Sequence, residues 1–258
     1  MKNRFWAGLG IVFLLLFWEI ASLISESSLI LPGPLPVFQR FISLVSTRAF
    51  LRALAGSAGR VILAMIISVP LGITLGIVAA LDKRAASFLN PLFQVISATP
   101  VIPLILIAFL WFGQEKTAVF TAFLMIFPII ATNTSAGISS LDPKLIELFS
   151  LYRLSSKERF FSLYLPAIAP FTAGALRTGL SQCWKVIVAA EVMLQPRFSL
   201  GYGMQAARAG FETAELFAWT AGAVIAAALC QFLLDLAIEK LNRGRPQGNG
   251  RVLKRGRL

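Results

Sequence analysis

Histidine is missing from this chain altogether, cysteine occurs twice, and charged side chains make up only 14% of its 258 residues. Each shortage removes a class of activity. Without imidazole there is no Ser–His hydrolase, no HExxH metalloprotease and little zinc chemistry of any kind. Cys183 and Cys230 both fall inside apolar blocks and read as small buried hydrophobes, not as a disulfide or a metal pair. Aspartate is confined to Asp82, Asp142 and Asp235, too scattered to form the paired carboxylates of an intramembrane protease. The phosphate loop GxxxxGK[ST] is also absent, so ATP hydrolysis has to come from elsewhere. The chain is therefore expected to be no enzyme and to bind no metal or cofactor.

What is abundant is apolar: 57% of the residues are hydrophobic. Soluble domains carry about 25% charged residues, and a soluble helical core of this size would lack the polar surface to cover itself. The apolar residues gather in blocks of roughly 20, the length that spans a hydrocarbon core as a helix. The expected fold is an all-α, polytopic transmembrane helix bundle. About six spans are expected, over residues 5–24, 57–81, 91–112, 117–137, 167–194 and 216–238. The first block follows Lys2 and Arg4 and has no small-residue cleavage site behind it, so it reads as a retained helix. Pro100 and Pro103 predict a kinked or broken third span, and Gly72 and Gly76 form a GxxxG face on the second. Leu31-Pro32-Gly33-Pro34-Leu35-Pro36 is a rigid turn, followed by apolar residues at helical spacing that predict a short interfacial helix.

The net charge of +12 does not form a patch interleaved with aromatics, as nucleic-acid binding would require. Seven of the 24 basic residues lie between Lys240 and Arg257, and most others lie between apolar blocks. With the N-terminus inside, the cytoplasmic side receives those seven with Lys2, Arg4, Lys83, Arg84, Lys144, Arg153, Lys157 and Arg159. The outer side receives Arg40, Arg48, Arg52, Lys116, Arg197 and Arg208. That asymmetry puts both termini in the cytoplasm. Residues 243–258, rich in Gly and Arg, read as a disordered tail that touches anionic lipid.

Two features carry functional weight. Between the fourth and fifth spans, residues 138–166 form the least membrane-like internal stretch. Asp142-Pro143 starts one short helix, and Ser155-Ser156-Lys157-Glu158 is a capping box that opens a second, ended by Leu165-Pro166. The residues alone allow a knob that a soluble partner grips, or an interfacial loop without a partner. In the fifth span, Arg177, Thr178, Ser181, Gln182 and Lys185 share one helical face, with the two cations about 12 Å apart. This is either a cationic wall of a translocation pathway or a set of interhelical hydrogen bonds with Arg177 snorkelling outward. Glu191 lies about 180° round the helix from Gln182, off the stripe, where it pairs with Arg60 or helps form an outer gate.

The cytoplasmic stretch resembles the EAA loop of binding-protein-dependent ABC importer permeases of the MetI-like family. The spacing holds from Glu147 to Leu163-Tyr164-Leu165-Pro166, with Leu148 and Phe149 in place of the two alanines and Arg153 in place of the glycine. Leu31-Pro32-Gly33-Pro34, Trp111-Phe112-Gly113, Phe127-Pro128-Ile129, Trp184–Glu191 and Ser199-Leu200-Gly201-Tyr202-Gly203 are similar to the nitrate/sulfonate/taurine-type members. The resemblance implies one permease domain over residues 1–258, with its core at about 57–239, in the cell inner membrane. It also implies a permease homodimer, a cytoplasmic ABC ATPase dimer that holds ATP and Mg, and an extracytoplasmic binding protein. Glu147, Leu148, Phe149, Arg153, Leu163, Leu165 and Pro166 would then couple to the ATPase, and Arg177, Ser181, Gln182, Lys185 and Glu191 would serve the pathway. A cationic stripe favours small anions such as sulfonates or oxyanions. Importers of vitamin precursors and, outside this family, a secondary transporter remain the alternatives.

Overall fold

The computed structural model describes residues 2–25, 27–152 and 155–243. Its helices are α1 (Lys2–Ile24), α2 (Pro34–Val45), α3 (Arg48–Leu81), α4 (Lys83–Ala98), α5 (Val101–Ser139), α6 (Pro143–Leu151), α7 (Ser156–Arg159), α8 (Leu165–Leu194), α9 (Leu200–Ala209) and α10 (Thr213–Arg243). A π turn, Phe160–Tyr164, joins α7 to α8. Among the described residues there is no strand, as hydrocarbon demands: an open sheet edge there would leave amides and carbonyls unpaired. By length and composition α3, α5 and residues Thr213–Leu241 of α10 can cross a membrane, and Gly8–Ile24 of α1 is a shorter apolar helix.

The core lies where α3, α5 and α8 meet. Gly72 and Gly76 supply the close approach expected of a GxxxG face. A Cβ on Gly72 would stand 2.7 Å from Ile130 Cβ, and one on Gly76 would stand 2.4 Å from the Ala131 carbonyl oxygen. Ile126, Ile130, Ala64, Cys183 and Ile187 fill the space around this contact and are fully buried. Both cysteines are free thiols, Cys183 buried and Cys230 half-buried.

Several boundaries differ from the sequence reading. The second span begins at Arg48, not near residue 57, because the Thr47 hydroxyl caps it by accepting from the Phe50 amide at 3.1 Å. Arg48 and Arg52 therefore lie on a helix and not in a connection. The stretch 91–112 is divided: α4 ends at Ala98, and Thr99 and Pro100 are extended before α5 begins. A residue before proline is biased away from helix, which explains the position of the break. The link to the next span is shorter than the four residues expected. It is a single residue, Gly113, at φ 65° and ψ −173°, a conformation that side chains resist. The Thr117 hydroxyl donates to the Gly113 carbonyl at 2.6 Å, one turn into the second arm.

The rigid turn at Leu31–Pro36 starts α2 at Pro34, with Gly33 as N-cap. The Trp18 indole donates to the Pro32 carbonyl at 3.0 Å, and Ser22 donates to that of Leu31 at 2.9 Å, so the end of α1 is tied to this turn. α2 packs along α10, where Arg40 donates to Glu212 at 2.9 Å and bonds Glu215 as well. On its inner side Phe41 meets Phe50 edge-on, and Phe50 fills the space that Gly222 leaves open.

Gly76→Val is expected to force apart two backbones that have no room to move. Overpacking of this kind costs about 1–3 kcal/mol or more, so the midpoint of thermal unfolding in detergent should fall by several degrees. Gly59→Ala places its methyl where nothing lies within 4 Å and should leave the midpoint unchanged or raised.

Candidate functional site

α8 has two chemically opposite faces. Ala175, Gly179, Cys183, Ile187, Ala190 and Glu191 are buried against α3 and α5, whereas Arg177, Thr178, Ser181, Gln182 and Lys185 are exposed. The stripe is as contiguous as its spacing predicts. It borders two clefts that share Gln182 and Lys185. One, of about 550 Å³, lies against Ala227, Ala228 and Gln231 of α10; the other, of about 490 Å³, lies against Ser97, Val101, Met125 and Ile129. The two cations are not equivalent. The Arg177 Nε donates to Asp235 Oδ1 at 2.6 Å, while no ion pair reaches Lys185 among the described residues. Lys185 is thus the uncompensated charge of the stripe.

The stretch 138–166 forms a knob set off from the bundle. Asp142 accepts from the Lys144 amide at 2.9 Å and caps α6. Among the described residues α6 shares no broad packed face with another helix. Glu147 and Leu148 are exposed, with Leu145, Ile146, Leu151 and Tyr152 beside them, and Phe149 is half-buried. α6 ends at Leu151, short of the position 153 expected, and Arg153 lies outside the described residues. The capping box forms as its sequence implies: the Ser155 amide and hydroxyl both donate to Glu158 Oε2, at 2.8 and 2.7 Å. The Ser155 hydroxyl, then its amide, hold the Glu158 carboxyl below the usual range. Leu165-Pro166 does not end this second helix. The chain passes through the π turn directly into α8, with Pro166 in the first turn of α8. Proline has no amide to donate and its ring crowds the carbonyl four residues back; the wider π turn accommodates it, and the Leu165 amide reaches back to Phe160 O. Leu163 is buried in that turn, Leu165 is half-buried and Pro166 exposed.

Glu191 sits apart from the stripe, at the opposite end of α8 from the knob, with none of its surface exposed. The expected partner is present: Arg60 Nη1 donates to Glu191 Oε1 at 3.0 Å. Two further donors complete the carboxylate, the Ser57 hydroxyl at 2.7 Å and the Gly201 amide at 3.4 Å. Both terminal nitrogens of Arg60 are fully engaged as well. Its Nη2 donates to Glu115 Oε2 at 3.0 Å and to the Arg197 carbonyl at 2.9 Å, and its Nη1 reaches the Phe198 carbonyl at 3.3 Å. Glu115 in turn accepts from the Arg197 amide at 3.0 Å, and Ser57 Oγ accepts from the Leu200 amide at 3.0 Å. One knot therefore ties α3, α5, α8 and the start of α9. Ser57 and Glu115 carry no signal in the sequence, since their partners lie 134 and 55–82 residues away.

Arg60→Met leaves Glu191 buried without its counterion, which typically costs about 3–5 kcal/mol. Thermal unfolding of the purified protein should shift down strongly. Arg60→Met combined with Glu191→Met removes both charges and should recover much of the loss; a double variant no more stable than the single one would show that the ion pair is not what holds these helices together.

Comparison with known proteins agrees with this architecture. Residues 72–245 match the family model described as binding-protein-dependent transport system inner membrane component. The chain is 28% identical over 247 residues to the taurine transport system permease protein TauC of Escherichia coli (strain K12), covering 93% of this chain and 88% of that protein. It is 28% identical over 204 residues to the putative aliphatic sulfonates transport permease protein SsuC of Bacillus subtilis (strain 168), covering 78% and 73%. Its fold is similar to that of a bacterial ABC transporter involved in the import of the acidic polysaccharide alginate, at TM-score 0.62 and 16% identity, covering 93% of this chain and 96% of that one. The chain belongs to the binding-protein-dependent transport system inner membrane components, the multi-pass permease subunits of ABC importers.

Proposed function

We propose that the exposed face of α8 lines the translocation pathway, that two copies of this chain enclose it, and that the cargo is a small organic anion of the sulfonate type. The observation that carries this reading is the division of α8. One face is fixed in the bundle, and the other presents Ser181, Gln182 and the uncompensated Lys185 to two clefts. A cation and amides facing lipid would be costly, so this face belongs on an aqueous pathway or against a partner. A second copy placed face to face would bring two Lys185 side chains towards a common axis, an arrangement that suits an anion. The sulfonate class is supported by the taurine and aliphatic sulfonate permeases among the relatives. Glu191 serves this pathway indirectly, by holding the outer end of α8 in place.

The α6 knob is the surface through which a separate ATPase dimer, holding ATP and Mg, drives the permease. This chain contributes no nucleotide chemistry of its own. Glu147, Leu148 and Phe149 form the contact face, with Arg153 completing the loop. Leu163, Leu165 and Pro166 join the knob to α8. The exposed Leu145, Ile146, Leu148 and Leu151 support this, because α6 is too short to be stable alone in water and has an apolar side to cover. On the opposite side of the membrane the loaded binding protein delivers the cargo.

Two substitutions test the reading in reconstituted vesicles. Glu147→Arg should leave the permease folded and inserted but abolish stimulation of ATPase activity by loaded binding protein. Lys185→Met should slow uptake severalfold while leaving assembly and basal ATPase activity intact. Normal coupling in the first variant removes the knob from the mechanism, and unchanged uptake at saturating binding protein in the second removes Lys185 from the pathway.

A further inference from the structure

An open groove of about 680 Å³ runs between α3 and α5, away from the α8 stripe. On the α3 side it is bounded by Gly59, Leu63 and Ile67, successive positions four residues apart and therefore in line along the helix axis. On the α5 side Phe112, Phe120 and Phe123 form its wall, with Phe112 stacked on Phe120 at 4.4 Å. Gly59 is what opens it: a Cβ there would meet nothing within 4 Å. One end of the groove is polar, where Arg60, Glu115 and Lys116 meet; the rest is apolar.

Depth in the membrane makes this arrangement specific. α3 has 34 residues, about 51 Å at 1.5 Å per residue, against roughly 30 Å of hydrocarbon. Asp82, Lys83 and Arg84 mark one boundary immediately after Leu81. Counting back about 20 residues sets the other boundary beside Val61. Arg60 and Lys116 then stand at headgroup level, and Leu63 and Ile67 lie within the adjoining leaflet. From Gly59 to Ile67 the groove extends about 12 Å, close to the thickness of one leaflet.

The four charges at and behind the mouth, Arg60, Lys116, Glu115 and Glu191, sum to zero, but they are not equally engaged. Glu115 is bonded by Arg60 and by the Arg197 amide, and Glu191 behind it by Arg60. Lys116 is exposed and has no ion pair among the described residues. We propose that this groove is a binding site for one anionic phospholipid, with its phosphate at Lys116 and one acyl chain along Gly59, Leu63 and Ile67 against the phenylalanine wall. A chain seated there fills the space between α5, on either side of Gly113, and the first half of α3. It thereby supports the helices that carry Arg60 and Glu115.

Native mass spectrometry of the assembled importer tests this, with the complex released from nanodiscs made of equal phosphatidylglycerol and phosphatidylethanolamine. The wild-type complex should retain one phosphatidylglycerol per permease chain in clear preference to phosphatidylethanolamine. Gly59→Leu fills the groove without a clash at its first carbon and should abolish retention of either lipid. Lys116→Gln should keep a bound lipid but bring the preference between the two classes close to one. The proposal is overturned if the wild-type complex retains no lipid or both classes equally, or if Lys116→Gln keeps the full preference. It is overturned too if Gly59→Leu leaves retention intact or changes the number of permease chains in the complex, the result expected if a second copy of the chain covers the groove.

Discussion

A carboxylate that has lost all contact with solvent inside a helix bundle persists only if hydrogen-bond donors are brought to it, and Glu191 sets that requirement for the end of the molecule where α3, α5, α8 and α9 meet. Arg60 comes from α3, the Ser57 hydroxyl from one turn earlier, and the Gly201 amide from the first turn of α9. To meet these demands the backbones approach very closely. A Cβ on Gly56 would lie 2.0 Å from the Phe198 carbonyl oxygen, and one on Gly201 would lie 2.4 Å from the Glu191 carbonyl carbon. The turn between α8 and α9 also adopts left-handed conformations at Gln195 (φ 51°) and Phe198 (φ 50°). Left-handed backbone at such side chains costs about 1–3 kcal/mol each and persists only where surrounding contacts impose it. Here those contacts are the Arg197 and Phe198 carbonyls, both held by Arg60.

The proposed pathway role of α8 rests on the knot. A helix that lines a pathway has to offer polar groups to a passing solute while keeping its own position, and lipid supplies no hydrophobic drive to hold it. α8 is fixed by small residues and a buried ion pair on one side, which leaves Ser181, Gln182 and Lys185 free to face outward. Arg177 is different, because Asp235 of α10 takes up its charge. A stripe that looks doubly cationic in sequence therefore has one cation available, at the end nearer to Glu191.

Which parts of this were legible beforehand follows from the range of the interactions involved. Blocks of apolar residues and the GxxxG pair act locally, so the helices and a close helix approach at Gly72 and Gly76 could be anticipated, but not that α5 makes it. The placement of Glu191 off the stripe needed only the helical repeat, and its pairing with Arg60 was one of the two roles the sequence left open. Ser57 and Glu115 could not be found, because a serine in an apolar helix and a glutamate in a short link look unremarkable until distant segments meet. α9 was hidden for another reason. Gly201 and Gly203 lower helix propensity and suggest a loop, yet both are there because Glu191 and Trp219 leave no room for a side chain. Pro166 misled because proline ends one helix and begins the next with equal ease, and only the π turn distinguishes the two roles.

That turn has a consequence for how much change the chain can tolerate in length. A π turn is an α-helix with one residue more than its winding needs. Removing one residue from Phe160–Tyr164 would take away that slack: closure into ordinary helix would press the Pro166 ring against the carbonyl four residues back and would turn α7 by about 100° around the α8 axis. α8 itself cannot rotate, since Glu191 is fastened in the bundle, so the whole rotation would fall on the knob. The heading of α6 is therefore encoded as a residue count. Substitutions along Phe160–Tyr164 that keep Leu163 buried can be absorbed, but insertions and deletions there would re-aim the knob or disturb the start of α8 at Pro166.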